Sequence, residues 1–141
     1  MSIPIGSFKT LRPTQPERLG LHVALTVSRG MSRMKPSVLH NVLGKYAGVV
    51  DKMGDRSVDA PRAERAHAAL CHLSPRCASH EACFVRSLAL FLYLRPLGRN
   101  ISWHAGFRTD PFLGHAWIQV DSHPISEALE VSQFIETMRV H

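Results

Sequence analysis

Long apolar runs are missing from this 141-residue chain. The longest, Leu88 to Leu94, falls far short of the roughly 20 residues a bilayer demands, and the run from Leu21 to Val27 is interrupted by His22 and too short for the apolar core of a secretion signal. Cysteine is scarce as well. Three is an odd number, and "CHLSPRCASHEAC" spaces Cys71, Cys77 and Cys83 without the Cys-x2-Cys pairs of a zinc knuckle, even with His72 and His80 nearby. Neither a disulfide framework nor a structural metal is expected, and no cofactor motif is present. Aromatic residues are few and do not interleave with basic clusters, so nothing points to nucleic acid. These absences predict a soluble, cytoplasmic protein with reduced thiols and no membrane span.

What is there is basic. Seventeen Lys and Arg face eleven Asp and Glu, with the excess in the first half, which suits either an acidic partner or a solvated basic surface. The length fits a single domain over 1–141, with a helical part at 1–55 and a core at 56–141. Residues 1–15 read as an extended arm punctuated by Pro4, Gly6 and Pro13. A first helix is expected from Pro16, burying Leu19, Val23, Val27 and Met31. A second, from Pro36, buries Leu39, Val42, Leu43, Tyr46 and Val50, and the two form a hairpin-like cover. Asp59 reads as the cap of a third helix carrying Ala63, Ala66, Leu70 and Leu73 inward. The next helix, with Ser79 as its expected cap, is apolar nearly all round and therefore central; Pro96 and Gly98 stop it. "NISWHAGFR" and "HAWIQV" follow as strands and "PISE" as the start of a third. "ALEVSQFIETM" closes with a helical pattern.

Chemistry concentrates on the central helix and the strands. Cys83 falls in that helix's first turn, where unpaired N–H groups and the helix dipole favour a thiolate. His115 opens a strand about thirty residues later and is placed to take the proton. Asp121 cannot orient His115, because six residues of extended chain span roughly 20 Å. Glu127 can, if Asp121 to His123 form a three-residue loop: Trp117 then faces Glu127, and His115 becomes its diagonal neighbour. A two-residue loop would turn Glu127 to the wrong face. His104 sits on the strand expected beside His115, while Cys71 reads as packing and Cys77, in the lead-in to the central helix, is too poor a donor to be assigned the oxyanion. Cysteine, helix, strand, histidine, strand, acid is the order of an α+β, transglutaminase/papain-like cysteine enzyme: N-terminal helices, then a Cys-bearing helix on a small antiparallel sheet.

Three motifs carry a closer resemblance. "CFVRSLALFLYLRPLG", "GFRTDPFLGHAWIQVD" and "HPISE" resemble the Cys-x-x-Arg-Ser-Leu-Ala helix, the Gly-x-Arg-Thr-x-Pro-Phe-x-x-His-Ala-Trp segment and the following acid of lasso-peptide leader peptidases of the stand-alone actinobacterial type. The resemblance covers roughly residues 60 to 130. It implies a thiol endopeptidase that cuts the leader from a ribosomally made precursor, with Cys83 as nucleophile, His115 as base and Glu127 as orienting acid. It also implies as partners the precursor's leader region, a separate leader-binding recognition protein and, further along, an asparagine-synthetase-like lasso cyclase. Two other readings stay open: an acyltransferase or transglutaminase using the same trio, and a non-catalytic peptide-binding adaptor in which Cys83 is packing.

Overall fold

In the computed structural model, which describes residues 14–79, 82–125 and 131–141, helices come first and a sheet follows. Helix α1 (Gln15–Met31) opens on a reciprocal cap. The Thr14 hydroxyl accepts the Glu17 N–H at 3.4 Å, the Glu17 carboxylate accepts the Thr14 N–H at 3.0 Å, and Pro16 occupies the first turn. The expected arm lies, up to residue 13, outside the described residues. The inward face of α1 is not the one expected. Leu21, Ala24, Leu25, Ser28 and Met31 are buried, whereas Leu19, Val23 and Val27 stand 69%, 56% and 45% exposed. The reason is close approach. A Cβ added at Gly20 would come within 2.9 Å of the Tyr93 ring, so the row packed on the central helix is the one built on Gly20 and Ala24, not the bulkier valine row.

Helix α2 (Pro36–Asp51) buries Leu39 and Leu43 as expected and Ala47 besides, leaves Val42, Tyr46 and Val50 half-buried, and Tyr46 donates its hydroxyl to the Leu92 carbonyl at 2.5 Å. The two helices are not a hairpin-like pair: α1 lies along the central helix, while α2 packs toward the last strand and the turn that follows the central helix. Helix α3 (Ala60–Leu73) is capped by Asp59, which accepts the Arg62 N–H at 2.9 Å, and turns Ala63, Ala66 and Leu70 inward. The central helix α4 (Cys83–Leu94) begins one residue after Ala82 and has no side-chain cap. Ser79, the expected cap, instead ends the short 3-10 turn Pro75–Ala78 and donates its hydroxyl to the Arg76 carbonyl at 2.8 Å.

The four-stranded antiparallel sheet runs β3-β2-β1-β4, from β1 (Ile101–Arg108), β2 (Leu113–Val120), β3 (His123–Pro124) and β4 (Ile135–Val140). In the β1–β2 register Gly106 stands opposite His115 and His104 opposite Trp117. One face carries Trp103, whose indole N–H donates to Ser87 of α4 at 2.9 Å; the other carries His104, His115 and Trp117.

The expected C-terminal helix is a strand. "IETMRV" alternates with period two, and its pairing supplies hydrogen-bond partners to the outer edge of β1, an obligation the helical pattern did not weigh. A 3-10 turn, Val131–Gln133, leads into it.

The loop after β2 is two residues long, not three. Asp121 and Ser122 both adopt positive φ (50° and 69°), as a type I′ hairpin requires, and Val120 pairs with His123. Pro124 then faces Gln119, and Ile125 N–H bonds Ile118 O at 3.1 Å. The bonded pairs are therefore those of Val120 and Ile118, and Pro124 sits where no N–H is needed.

One ion pair ties helices to sheet. Arg95, buried just past α4, donates to both carboxylate oxygens of Asp51 (3.1 and 2.9 Å) and to the Ile101 carbonyl (2.7 Å).

Candidate active site

Cys83 is the first residue of α4, and its thiol sits where the helix's unbonded N–H groups converge. Cys83 opens, after Ala82, a strongly apolar helix that must pack on the sheet, so burying Phe91, Leu90 and Leu94 drives the sulfur against β2. There the short length of β3 matters. Pairing with β3 covers only the end of β2, which leaves the edge N–H of Ala116 free to bond the Cys83 sulfur. The His115 side chain bonds the same sulfur.

Burial alone pushes the Cys83 thiol up. The bonds from His115 and from the Ala116 N–H, with the charges of His115 and Arg86, outweigh it and hold the thiol below its ordinary value. Arg86, one turn on, is pinned by donating to the carbonyls of Cys77 (2.7 Å) and Ser79 (3.0 Å), which fixes the lead-in to the helix as well as the charge. Cys71 behaves in the opposite sense: burial raises its thiol, and its nearest polar contact is His67 Nδ1 at 4.0 Å. Burial also brings His67 down to about 4. Cys77 is buried beneath the lead-in turn.

His115 is 5% exposed and packs against Trp117 and Phe134, whose ring centroids lie 5.7 and 5.3 Å from its own. Phe134 arrives from the segment before β4 and carries the Arg108 guanidinium over its ring at 5.7 Å. Sequence reasoning missed Phe134 by placing it on a helix, although an aromatic next to a period-two stretch was the available signal.

Of the three expected catalytic residues, Cys83 and His115 come together. Glu127 lies outside the described residues, and the three-residue loop that would have aimed it at His115 does not form. Asp121 belongs to the turn, as expected: its carboxylate accepts from Asn100 Nδ2 at 3.2 Å. Asn100 also brackets the Val58 backbone, accepting its N–H at 2.9 Å and donating to its carbonyl at 2.7 Å.

Thiol, imidazole and converging N–H groups make an arrangement suited to attack on an acyl carbon. Among the described residues, no helix is long and apolar enough to cross a membrane. No curated protein and no solved structure matches the chain. The family described as the transglutaminase-like superfamily matches residues 23–139.

Proposed function

The chain belongs to the transglutaminase-like superfamily, whose members run cysteine-peptidase and acyl-transfer chemistry, and within it we propose that this protein is a cysteine endopeptidase that removes the leader from a lasso-peptide precursor. The observation that carries the chemistry is the Cys83 sulfur at a helix start, bonded by His115 and by the Ala116 N–H. The three sequence motifs at Cys83, Gly106–Asp121 and His123–Glu127 carry the substrate.

In this reading the Cys83 thiolate attacks the scissile carbonyl, and N–H groups at the start of α4 receive the developing oxyanion. His115 gives its proton to the departing amine, leaving a thioester on Cys83. Water, deprotonated by His115, then releases the leader. Glu127 orients His115, a role it takes from the resemblance. Affinity for a long leader comes from a separate leader-binding protein, which delivers the precursor.

The test pairs two measurements. Iodoacetamide at neutral pH should label Cys83 well ahead of Cys71, and cleavage of a candidate precursor in the presence of its leader-binding protein should vanish in Cys83→Ala while the circular dichroism spectrum stays unchanged. Persisting cleavage in that variant refutes the reading. Amide exchange with an added amine in place of hydrolysis would move it to the acyltransferase class.

A further inference from the structure

A polar cluster on the sheet face behind the thiol has no part in that chemistry. His104, 3% exposed, is held at both ring nitrogens: Nδ1 meets Glu136 Oε1, and Nε2 lies 2.8 Å from the Ser102 hydroxyl. Glu136 is itself anchored by Arg139, whose Nε donates to Oε2 at 2.9 Å and whose Nη2 donates to the same oxygen. Burial raises the Glu136 carboxyl, but Arg139 and His104 outweigh it and keep it below its ordinary range, so it accepts. Burial is the largest influence on His104 and brings it below the ordinary imidazole range against the pull of Glu136. A neutral ring facing a carboxylate at Nδ1 must carry its proton there, so Nε2 accepts from Ser102. The order Ser, His, Glu is that of a hydrolase relay, yet Ser102 is buried; the cluster is built to hold a ring still.

The ring it holds supports another. His104 stands directly across from Trp117 in the ladder, with centroids 5.7 Å apart and planes 12° from parallel. Trp117 in turn lies 5.7 Å and 17° from His115. The indole N–H of Trp117 is buried and has no hydrogen-bond partner among the described residues. Among the described residues nothing directional fixes the indole, so its pose depends on the rings packed against it: His104, His115 and Phe134, the last tilted with its centroid 6.1 Å away.

We propose that His104 is a positioning residue for His115: clamped by Ser102 and Glu136, it holds Trp117 upright, and Trp117 holds the His115 imidazole in the plane that meets Cys83. The clamp presupposes that Cys83 and His115 are the reacting pair. A neutral His104 also adds no positive charge behind an imidazole that has to become positive. The other charged and titratable groups around the stack, among the described residues, are Glu136, Arg139 and His141 on or just after β4, Arg86 and Cys83 on α4, and Arg108 at the end of β1.

The readout is the pH profile of Cys83 alkylation by iodoacetamide, which needs no peptide substrate. His104→Ala should slow labelling at neutral pH by about tenfold and move the rise of the profile to higher pH, because a displaced imidazole no longer stabilises the thiolate. His104→Gln, planar and able to donate to Glu136 and accept from Ser102, should restore most of the rate. A purely structural His104 would lower the melting temperature and leave the profile where it was. If His104→Ala does not fold, Ser102→Ala and Glu136→Gln keep the ring and remove one anchor each, and should move the profile the same way by less. An unmoved profile in folded variants, or no rescue by His104→Gln, overturns the clamp. Wild-type Cys83 labelling no faster than Cys71 would instead refute the reacting pair itself.

Discussion

Replacing Asp51 with alanine tests the joint between helices and sheet. Arg95 is almost fully buried and makes three hydrogen bonds, two of them to Asp51. Deleting the carboxylate leaves a buried guanidinium with only the Ile101 carbonyl. Orphaning a fully buried charge costs about 3–5 kcal/mol; since the Asp51 side chain keeps 20% exposure and water can reach the vacated position, a loss of about 2–3 kcal/mol is expected. At roughly 3–4 °C per kcal/mol for a chain of this size, the melting temperature should drop by about 6–12 °C.

The pair also sets a pH dependence. The Arg95 hydrogen bond is the main reason the Asp51 carboxyl sits below its ordinary 3.8; burial opposes, and the charges of Arg95 and Arg99 add to the lowering. A depressed carboxyl contributes stability that is fully present above the unfolded value and disappears as pH falls through the folded one. The gap between wild type and Asp51→Ala should therefore be constant near neutrality and close in acid. Urea unfolding across that range measures it. Arg99→Ala serves as control, because Arg99 is half exposed and 3.8 Å from Asp51, and should cost under about 0.5 kcal/mol. A loss for Asp51→Ala no larger than that of the control would refute the argument.

Gly106→Ala should destabilise by about 1–3 kcal/mol and slow Cys83 alkylation: a Cβ there would strike the Ile135 carbonyl and lie 3.0 Å from its carbon, pushing β4 and the neighbouring Phe134 away from His115. Leu25→Ala should cost about 2–5 kcal/mol and Val27→Ala under about 0.5, measured by urea unfolding, if α1 is oriented as described. Glu127→Gln should depress precursor turnover by orders of magnitude, while Asp121→Asn should act through turn stability, its carboxylate being bound to Asn100; an inactive Asp121→Asn would reverse the assignment.

Two helix starts were legible because each carries its own chemistry, whereas the central helix, which has no side-chain cap, gave no such signal. Pro16 marks a first turn, and Asp59 with Pro61 a capped one; the side chains of Thr14 and Asp59 both cap. Which face turns inward is a different kind of question. On α1 the period-four row Leu19, Val23, Val27 is the more hydrophobic by composition, yet the neighbour's shape decides, and it favours the row with Gly20, where the Tyr93 ring needs room. The C-terminal strand fails to show for a related reason: "QFIETM" satisfies a helical period, and only the unpaired edge of β1, a tertiary fact, selects the extended form. Arg95 was hidden among basic residues that are mostly solvated; its partner lies forty-four positions away.

The site divides the same way. Cys83 and His115 are visible because a thiol in a helix's first turn and a histidine at a strand's mouth are defined by local position. Their meeting then follows from one packing step, an apolar helix laid on a sheet. An orienting acid is defined by register, and register rests on two φ angles. "Val-Asp-Ser-His-Pro" fits a two-residue turn or a three-residue one by composition, since Asp and Ser tolerate either. Adopting φ of 50° and 69° at Asp121 and Ser122 chooses the shorter, and with it Pro124 and Ile125 change face. Were the β3 pairing extended in that register, Glu127 would stand opposite Ala116, which shares the α4 side of the sheet with Ile118, and not beside His115. Among the described residues the ladder runs to Pro124, with one further bond from Ile125, and it brings no acid beside His115. Ile125 is tied to Ile118, three residues along β2 from His115, while Asp121 is held at the far end of the strand by Asn100, too far for its carboxylate to orient His115.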